Sequence, residues 1–382
     1  MSNSCALFAQ HCGGCPLLNT PYEAQLQQKQ QRVQALLGGF APVRPILGQA
    51  QPWHYRNKAI ATFATGPRGV LTCGIYAAAS HRVLPAGDCL LQDSVINQTI
   101  AAVLAAARQC RWEAFDEDSG TGLLRHVLVR RGQASGQVMV VLVTADDRLP
   151  GSRNFTTALR KAAPWVSTVV QNLNPRRTSA VLGTDVRTLY GPGRIWDTLG
   201  GLQFSISPRS FYQVNPEQTE KLYAQALDFA ALTGKETVVD AYCGIGTIGL
   251  CAAQRAGQVI GVERNPDAVR DATANARRNH ISNARFLCGD ATAWMAGAAS
   301  EGLHPAVVFL DPPREGSTPE CIAAVAQMAP RRVVYVSCDP ATLARDVALF
   351  ARHHYQPRAF QPVDMFPHTE HVECACLLTR EK

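Results

Sequence analysis

A cysteine at the end of a predicted strand has the setting in this chain that best suits a chemical step. Residues 333–337 have the β-branched and aromatic composition of a strand, and Asp339-Pro340 after Cys338 predicts the start of a helix. Asp339 would cap that helix, and the positive end of the helix dipole would lie near the sulfur. Such a setting lowers a thiol pKa and favours attack by the thiolate. We therefore predict that Cys338 is a nucleophile, the alternative being a small apolar core residue.

A glycine loop between a predicted strand and a predicted helix indicates a nucleotide cofactor. Gly244, Gly246 and Gly249 satisfy the G-x-G-x-x-G pattern directly after the strand that ends at Asp240. The next predicted strand ends in Glu263, an acid placed to bind ribose hydroxyls. At this point the pattern suits both NAD and S-adenosylmethionine.

Three acidic positions favour the methyl donor over NAD. Asp240 closes the first strand, Asp290 follows another predicted strand and is placed near an adenine, and Asp311 follows the apolar strand 307–310. Asp311 begins the sequence Asp-Pro-Pro-Arg, which ends at Arg314. A hydride-transfer enzyme has no need of that last element, so S-adenosylmethionine is the predicted cofactor.

From about residue 208 to its C-terminus, the chain resembles the S-adenosylmethionine-dependent RNA uracil-C5 methyltransferases. The family's hallmark motifs are matched by residues 211–215, 240–246, 311–314, 337–340 and 371–373. The resemblance implies cofactor contacts from Gln213, Tyr242, Glu263 and Asp311, with Cys338 as the nucleophile and Glu373 as the general base. Gly244 of the glycine loop and Asp290 at its strand end complete the predicted cofactor set. The departures are Tyr242, where phenylalanine is common, and Asp339, where asparagine is common.

The chemistry implied by the resemblance explains the cysteine and the glutamate. Carbon 5 of uracil is a weak nucleophile, and addition of a thiolate at carbon 6 makes it an enolate carbon that attacks a sulfonium methyl. A base must then remove the carbon-5 proton before the cysteine leaves. Glu373 lies in an apolar, strand-like run where burying an acid without a role would be costly. Its alternative is a solvated position on an edge strand.

Four cysteines in the first ninety residues predict a metal site. Cys5, Cys12 and Cys15 open the chain and Cys89 follows, and four soft ligands of this kind hold either zinc or an iron–sulfur cluster. The spacing does not choose between the two. The family resemblance implies a 4Fe-4S cluster, and it places the fourth ligand in the central region of the chain.

Composition and charge bound the class of protein. The 382 residues are 46% hydrophobic and include 13 cysteines. No signal peptide or membrane span is recognisable, so we expect a cytoplasmic protein without a disulfide framework. Residues 1–200 hold 20 Lys+Arg against 11 Asp+Glu, a net +9, whereas residues 201–382 hold 17 against 19, a net −2; together they give the overall +7. We therefore expect the basic half of the chain to bind the phosphates of the RNA backbone.

The elements that would position these residues divide into three predicted regions. Residues 1–52 form the cysteine segment and a glutamine-rich helix that ends at Gly38-Gly39. Residues 53–207 form an α+β domain for RNA binding, and residues 208–382 alternate helix and strand as a doubly wound, mostly parallel, Rossmann-like sheet of the class I methyltransferase type. The chain begins almost at its first cysteine, so we expect none of the small N-terminal barrel that some relatives carry.

The predicted function is methylation of carbon 5 of a uridine in RNA, with no membrane and no obligate protein partner. The layout without a barrel most resembles the 23S ribosomal-RNA enzymes of the family. Two alternatives stay open: a transfer-RNA enzyme with the same mechanism, and an iron–sulfur RNA-binding protein without turnover. Cys338 together with Glu373 speaks against the second.

Overall fold

The computed structural model describes residues 5–85, 87–176 and 180–381. Its strands, numbered β1 to β16 in chain order, are Lys58–Thr65, Leu71–Tyr76, Val83–Pro85, Leu124–Arg131, Val138–Thr144, Val166–Leu173, Asp185–Tyr190, Ile195–Leu199, Leu202–Ile206, Thr237–Ala241, Gln258–Glu263, Ala284–Cys288, Val307–Leu310, Arg332–Ser337, Tyr355–Val363 and Glu373–Arg380. Its α-helices, numbered α1 to α9 in the same way, are Tyr22–Leu37, Ser94–Gln109, Ser152–Ala162, Pro216–Ala230, Thr247–Ala253, Pro266–Arg278, Ala291–Ser300, Pro319–Met328 and Pro340–Ala351. None of the helices in these described ranges is both long and apolar enough to cross a bilayer.

The chain forms two compact units whose boundaries differ from the three predicted regions. The first unit comprises the described residues within 1–16, 51–198 and 205–209, and the second comprises 17–50, 199–204 and the described residues from 210 onward. Residues 17–50 therefore belong with the C-terminal half and not with the cysteine segment. The physical reason is hydrophobic: Val33 and Leu37 of α1 are fully buried in the core of the second unit.

The first unit is built on one mixed sheet. Its strand order is β3-β2-β1-β4-β5-β6-β7, and all neighbours are antiparallel except β5 and β6, which α3 connects in parallel. The helix α2 begins where the Asp93 carboxylate accepts a hydrogen bond from the Val95 N–H at 2.8 Å. Every residue of β5 is buried. The α+β architecture predicted for the central region is therefore found.

The second unit is a doubly wound sheet of order β12-β11-β10-β13-β14-β16-β15. The strands β10 to β14 are parallel, and β16 and β15 are antiparallel additions at one side. The order reverses between β10 and β13, and ligands of such sheets bind at the carboxyl ends of the strands beside this reversal. The segment after α1 lies along β15, where Val43 bridges to Phe360 and Leu47 bridges to Val363.

Candidate active site

Cys338 lies where the sequence predicts it, directly after a buried strand and before a capped helix. The strand β14 ends at Ser337, and Asp339 is the N-cap of α9 with Pro340 in the first turn. The Asp339 carboxylate accepts hydrogen bonds from the N–H groups of Ala341 at 2.8 Å and Thr342 at 3.4 Å. The capped helix thus fixes the backbone beside a half-buried thiol at the carboxyl end of the sheet.

The electrostatic prediction for this thiol is wrong for the free protein. We expected the helix terminus to lower the pKa of Cys338, but its pKa is raised to about 11. Burial is the largest cause, followed by the negative charges of Glu373 and Asp311, while the Arg314 guanidinium acts in the opposite direction. Desolvation and two neighbouring carboxylates therefore outweigh the helix dipole and the charge of Arg314.

Glu373 lies beside Cys338 because of the pairing between their strands. Glu373 is the first residue of β16, and Ser337 pairs with Cys374, so Glu373 and Cys338 occupy the same end of neighbouring strands. The strand β16 is internal, between β14 and β15, so the solvated edge position is excluded. Glu373 is 4% exposed, and burial, together with the nearby Asp311, raises the pKa of its carboxyl to about 8. Such a carboxyl is poised to exchange a proton near neutral pH.

The loop after β13 carries Asp311 and Arg314 and is held by α9. The buried Asp346 carboxylate accepts hydrogen bonds from the Ser317 N–H at 2.7 Å and the Tyr335 hydroxyl at 2.6 Å. Burial raises the pKa of Asp311 to about 7. Nη2 of Arg314 lies 3.2 Å from Nδ1 of His371, two residues before Glu373.

The segment before Glu373 is held by α1 through a buried ion pair. Nζ of Lys29 lies 2.5 Å from Oδ1 of Asp364, and the two side chains are 2% and 0% exposed. Lys29 also donates to the Phe366 carbonyl at 3.0 Å, and the Tyr22 hydroxyl donates to Oδ2 of Asp364 at 2.8 Å. Burial lowers the pKa of Lys29, and Asp364 opposes that shift. The helix thereby fixes the start of the segment that leads into Glu373.

The predicted cofactor loop forms a pocket at the end of β10. Tyr242, Gly244 and Gly246 have φ values of 64°, 55° and 83°, in the left-handed region that glycine adopts without strain. The Gly249 N–H donates to Oδ2 of Asp240 at 2.8 Å, and a Cβ on Gly249 would approach that oxygen to 2.7 Å. The glycine therefore allows the helix α5 to approach the end of the strand.

The described residues that line this pocket include four of the six predicted cofactor residues. They are Gln213, Tyr242, Gly244 and Asp311. The pocket is also lined by Asp240 and Tyr223. Asp240 is 1% exposed, its pKa is raised to about 8 mainly by burial, and its Oδ1 atom has no hydrogen-bond partner among the described residues. A buried carboxylate of this kind suits a cationic ligand.

The other two predicted cofactor residues, Glu263 and Asp290, lie beside the loop and have their oxygens engaged. Glu263 accepts hydrogen bonds from the N–H groups of Gly244 at 3.1 Å and Asn265 at 2.7 Å. Asp290 caps α7 through the Ala293 N–H and forms an ion pair with Arg264 at 2.7 Å. Their roles in binding ribose and adenine stay predictions.

Two consecutive aromatic residues that line the cofactor pocket, Phe211 and Tyr212, differ in exposure. Phe211 is 63% exposed, whereas Tyr212 is 3% exposed. Phe211 is therefore the more accessible of the two to a base that stacks on an aromatic ring.

Three further residues take part in the site without having been assigned a role from the sequence. Asp240 was used as a strand-end acid that favours the methyl donor but was given no contact, Arg314 was named only as the last residue of a motif, and Tyr223 was not named at all. Arg314 could have been recognised from the sequence, because it follows the strand-end acid Asp311 by three residues and can therefore reach the same site. The Tyr223 hydroxyl, 3.0 Å from Oγ1 of Thr247, comes from α4 and carries no local sequence signal.

Comparisons with known proteins agree with this site. Residues 201–381 match the sequence model of a family described as tRNA (uracil-5-)-methyltransferase. An uncharacterized RNA methyltransferase of Halalkalibacterium halodurans is 45% identical over 380 residues, which cover 98% of this chain and 82% of the relative. A similar relative in Bacillus cereus is 42% identical over 381 residues, with the same coverage of both chains. The chain belongs to the family of RNA methyltransferases that these relatives represent.

The fold of this family member is also that of a solved relative. The tRNA (uracil-54, C5)-methyltransferase of Pyrococcus abyssi, solved with S-adenosyl-L-homocysteine, superimposes with a TM-score of 0.79 at 24% identity. The match covers 97% of this chain and 86% of that chain. The predicted class I methyltransferase fold is confirmed.

The four cysteines predicted to bind a metal lie together in the first unit of this methyltransferase. Cys12 forms a bridge to Ala77, and the carbonyl of Cys89 accepts a hydrogen bond from Asn97 at 3.0 Å. The pKa of Cys15 is raised to about 12, mainly by burial and then by the charges of Cys89, Cys12 and Cys5. The four thiols are thus within electrostatic reach of one another.

Their arrangement stops short of a closed metal site. Across the part of the chain that the structure describes, no three His, Cys, Asp or Glu side chains have a metal-binding arrangement. The donor set nevertheless fits an iron–sulfur cluster, because four half-buried thiols converge on one region. The cluster therefore stays a prediction.

Proposed function

We propose that this protein transfers a methyl group from S-adenosylmethionine to carbon 5 of a uridine in RNA through a covalent adduct with Cys338. The observation that carries the proposal is the pairing of Ser337 with Cys374, which puts Cys338 and Glu373 at the same end of neighbouring strands. One residue supplies a nucleophile for carbon 6, and the other supplies a base for carbon 5.

The cofactor is assigned to the pocket lined by Gln213, Tyr242, Gly244, Asp240 and Asp311. S-adenosylmethionine supplies, when bound, an electrophilic methyl group on a positively charged sulfur. The pKa values of Asp240 and Asp311 are raised by burial, and a cation in the pocket would favour their ionised forms. Glu263 and Asp290 complete the proposed set from the edge of the loop.

The proposed steps conserve atoms and electrons on the uracil ring. The Cys338 thiolate forms a bond to carbon 6, and the electron pair of the carbon 5–carbon 6 double bond moves toward the carbonyl at carbon 4. Carbon 5 would then bond to the methyl group while keeping its own proton, and the methyl–sulfur bond would break with its electron pair left on the sulfur, so that the leaving group is S-adenosylhomocysteine. Glu373 removes that proton, the double bond forms again, and the sulfur leaves as thiolate.

The site controls both proton transfers through charge. Glu373 must be ionised to act as a base, and its pKa of about 8 puts that ionisation close to neutral pH. The charge of Arg314 lowers the pKa of Cys338. Arg314 is therefore assigned the role of favouring the thiolate and the enolate.

Two RNA classes compete as the substrate. One is 23S ribosomal RNA, the predicted substrate, and the other is transfer RNA, which the description of the matching family names. Both substrates use the same chemistry, so the site residues do not separate them. A cytoplasmic location is part of the proposal, since both RNA classes are made and modified there.

The proposal includes a 4Fe-4S cluster held by Cys5, Cys12, Cys15 and Cys89. It is supported by the convergence of these four thiols in the first unit. Methyl transfer by this mechanism moves no electrons between metal and substrate, so the cluster is assigned a structural role. A protein with the cluster alone and no turnover is the competing proposal, and the Cys338–Glu373 pair speaks against it.

One assay tests the function and the substrate class together. Purified protein is incubated with radiolabelled S-adenosylmethionine and either a 23S ribosomal-RNA transcript or a transfer-RNA pool, and the products are digested to nucleosides. We expect 5-methyluridine from one class in large excess over the other. RNA containing 5-fluorouridine should trap a covalent complex, because a base cannot remove the fluorine from carbon 5 as it removes a proton. Methylated nucleosides other than 5-methyluridine, or none from either class, would overturn the proposal.

A further inference from the structure

Three cationic side chains cluster on two neighbouring strands of the first unit. Lys58 begins β1 and pairs directly across the antiparallel ladder with Arg130 of β4. Side chains at such a pair of positions lie on the same face, with their Cβ atoms about 5 Å apart. Arg56 is two residues before Lys58, and its charge also acts on Lys58.

Within the cationic cluster of Arg56, Lys58 and Arg130, the environment of Lys58 is unfavourable for its charge. Arg130 is 2% exposed, while Arg56 and Lys58 are partly exposed. The pKa of Lys58 is lowered to about 8, mainly by burial and then by repulsion from Arg130 and Arg56. No carboxylate of the described residues contributes to this shift.

Neighbouring arginines show that the fold supplies carboxylates elsewhere. Arg131 is 2.5 Å from an oxygen of Asp93, and Arg125 is 2.8 Å from an oxygen of Glu117. By contrast, the side chains of Arg56 and Lys58 form no ion pair within the described ranges 5–85, 87–176 and 180–381. Uncompensated cations that are partly buried cost stability unless an anion joins them.

We propose that Arg56, Lys58 and Arg130 form a binding site for a phosphate of the RNA backbone. Arg56 and Lys58 would contact the phosphate oxygens from the exposed side, and the buried Arg130 would add its charge from beneath. An RNA phosphate is the anion that the proposed function brings to this protein, so the inference rests on that function. Backbone phosphates are common to all sequences, and the site therefore positions RNA without reading a base.

A rival explanation uses the same charges for the cysteines. The Arg56 guanidinium lowers the pKa of Cys15, so it lies within reach of the predicted cluster ligands. An iron–sulfur cluster with four thiolates is itself an anion, and the three cations would then balance its charge. The two explanations differ in what should change when one cation is removed.

The experiment removes the charge of Lys58 and measures salt-dependent RNA binding. Lys58→Gln is compared with Lys235→Gln, which removes an exposed lysine just before β10, at the opposite end of that strand from the cofactor pocket. Binding of a fluorescein-labelled oligouridine is followed by anisotropy over a range of KCl concentrations. Each phosphate contact to single-stranded RNA contributes a slope of about −0.7 in log K against log salt, or about fivefold in affinity at 0.1 M salt.

We expect Lys58→Gln to lose about fivefold in affinity at 0.1 M salt, with a slope shallower by about 0.7. The melting temperature of the RNA-free variant should rise, because a repelled charge is removed. Lys235→Gln should change none of these. Arg56→Gln is the second variant and should behave as Lys58→Gln does.

Unchanged affinity and slope in Lys58→Gln and Arg56→Gln would overturn the phosphate site. A fall in iron and sulfide content at an unchanged slope would assign the cations to the cysteine ligands instead. Failure of the proposed function is recognised separately, because wild-type protein would then form no 5-methyluridine whatever the binding data show.

Discussion

The strand-end site of the second unit and the cysteine segment of the first unit both gather reactive side chains, but the chain organises them to different degrees. In the strand-end site, Cys338, Glu373 and Asp311 each follow or begin a strand of one sheet, so strand pairing determines their spacing. In the cysteine segment, Cys5 and Cys15 lie in irregular structure and Cys12 forms an isolated bridge to Ala77. A short 3₁₀ helix, Phe8–Gln10, lies between Cys5 and Cys12.

The strand-end site is also more tightly packed than the cysteine segment. Glu373 is 4% exposed, and strands on both sides enclose it. The cysteine segment packs on a small apolar group, in which the buried members are Leu7, Ala77 and Leu84. The first site is organised before any ligand arrives, and burial raises the pKa values of its carboxyls. We predict that the second site is organised by the group that its thiols bind.

Removing the nucleophile is the most severe test of the organised site. Cys338→Ala should lower methyl transfer by roughly 10³-fold or more, a scale typical of losing a covalent nucleophile. S-adenosylmethionine binding should change little, because Cys338 is not among the residues that line the cofactor pocket. Methyl transfer and calorimetric binding are measured in parallel. The control is Cys288→Ala, which removes an exposed cysteine of the same unit. Near-wild-type transfer by Cys338→Ala would refute the covalent mechanism.

Replacing the base should separate adduct formation from release. Glu373→Gln should accumulate a protein–RNA adduct through Cys338 that survives denaturation, because the carbon-5 proton has no acceptor. The adduct is detected as a shifted band on a denaturing gel. An inactive variant without the band, and with weak RNA binding, would mean that Glu373 serves only the fold.

The same variant, Glu373→Gln, should also show how much stability the buried carboxyl of Glu373 costs the protein at high pH. Burial raises the pKa of Glu373 from an ordinary 4.5 to about 8, so the folded state binds the proton more tightly than the unfolded state. The stability linked to this group is therefore fully present below about pH 4.5 and is lost as the pH rises through 8. Glu373→Gln lacks this loss, so its melting temperature should exceed that of wild type at pH 9 and approach it at pH 5. The corresponding difference in the free energy of unfolding at pH 9 is on the order of a few kcal/mol.

The strand-end site could be predicted from sequence because its signals are local. A strand followed by Cys338, Asp339 and Pro340 specifies the geometry of one strand–helix junction, and the structure has that geometry. The alternation of helix and strand likewise predicts the parallel sheet. The prediction of a lowered pKa for Cys338 was wrong because this pKa depends on Glu373 and Asp311. These two residues are distant in sequence, and only the sheet brings them close to the thiol.

Long-range contacts explain the other differences from the sequence predictions. The helix α1 was grouped with the cysteine segment because it follows that segment in the chain, yet Lys29 pairs with Asp364. No local pattern shows that pairing. The same holds for Tyr223, whose hydroxyl reaches Thr247 from another helix.

The buried ion pair offers a smaller perturbation of the organised site. Lys29→Met alone should destabilise the protein by about 3 to 5 kcal/mol, because it leaves the Asp364 carboxylate buried without its partner cation. Denaturant unfolding measures this loss, and Lys29→Met combined with Asp364→Leu should recover most of it. The double variant should still turn over more slowly and retain adduct, since the segment before Glu373 loses its anchor. A double variant with full turnover would show that the pair stabilises the fold without positioning the base.

Removing one cysteine of the predicted cluster should have the smallest effect on the chemical step. Anaerobic wild-type protein is expected to be brown, with about four irons and four sulfides per chain, as the cluster type requires. Cys89→Ser should lose the colour and bind RNA more weakly, while S-adenosylmethionine affinity changes less than about twofold. Its matched control is Cys110→Ser, another half-exposed cysteine of the first unit, which should keep the colour.

The cysteine result decides whether the comparison between the two regions holds. If the segment needs its bound group for order, Cys89→Ser should make residues near Cys5 to Cys15 exchange amide hydrogens faster, while β14 and β16 stay protected. Stoichiometric zinc without sulfide would replace the cluster with another metal and keep the contrast between the regions. Equal protection of both regions in metal-free protein would remove the contrast, because the cysteine segment would then be organised by the chain alone.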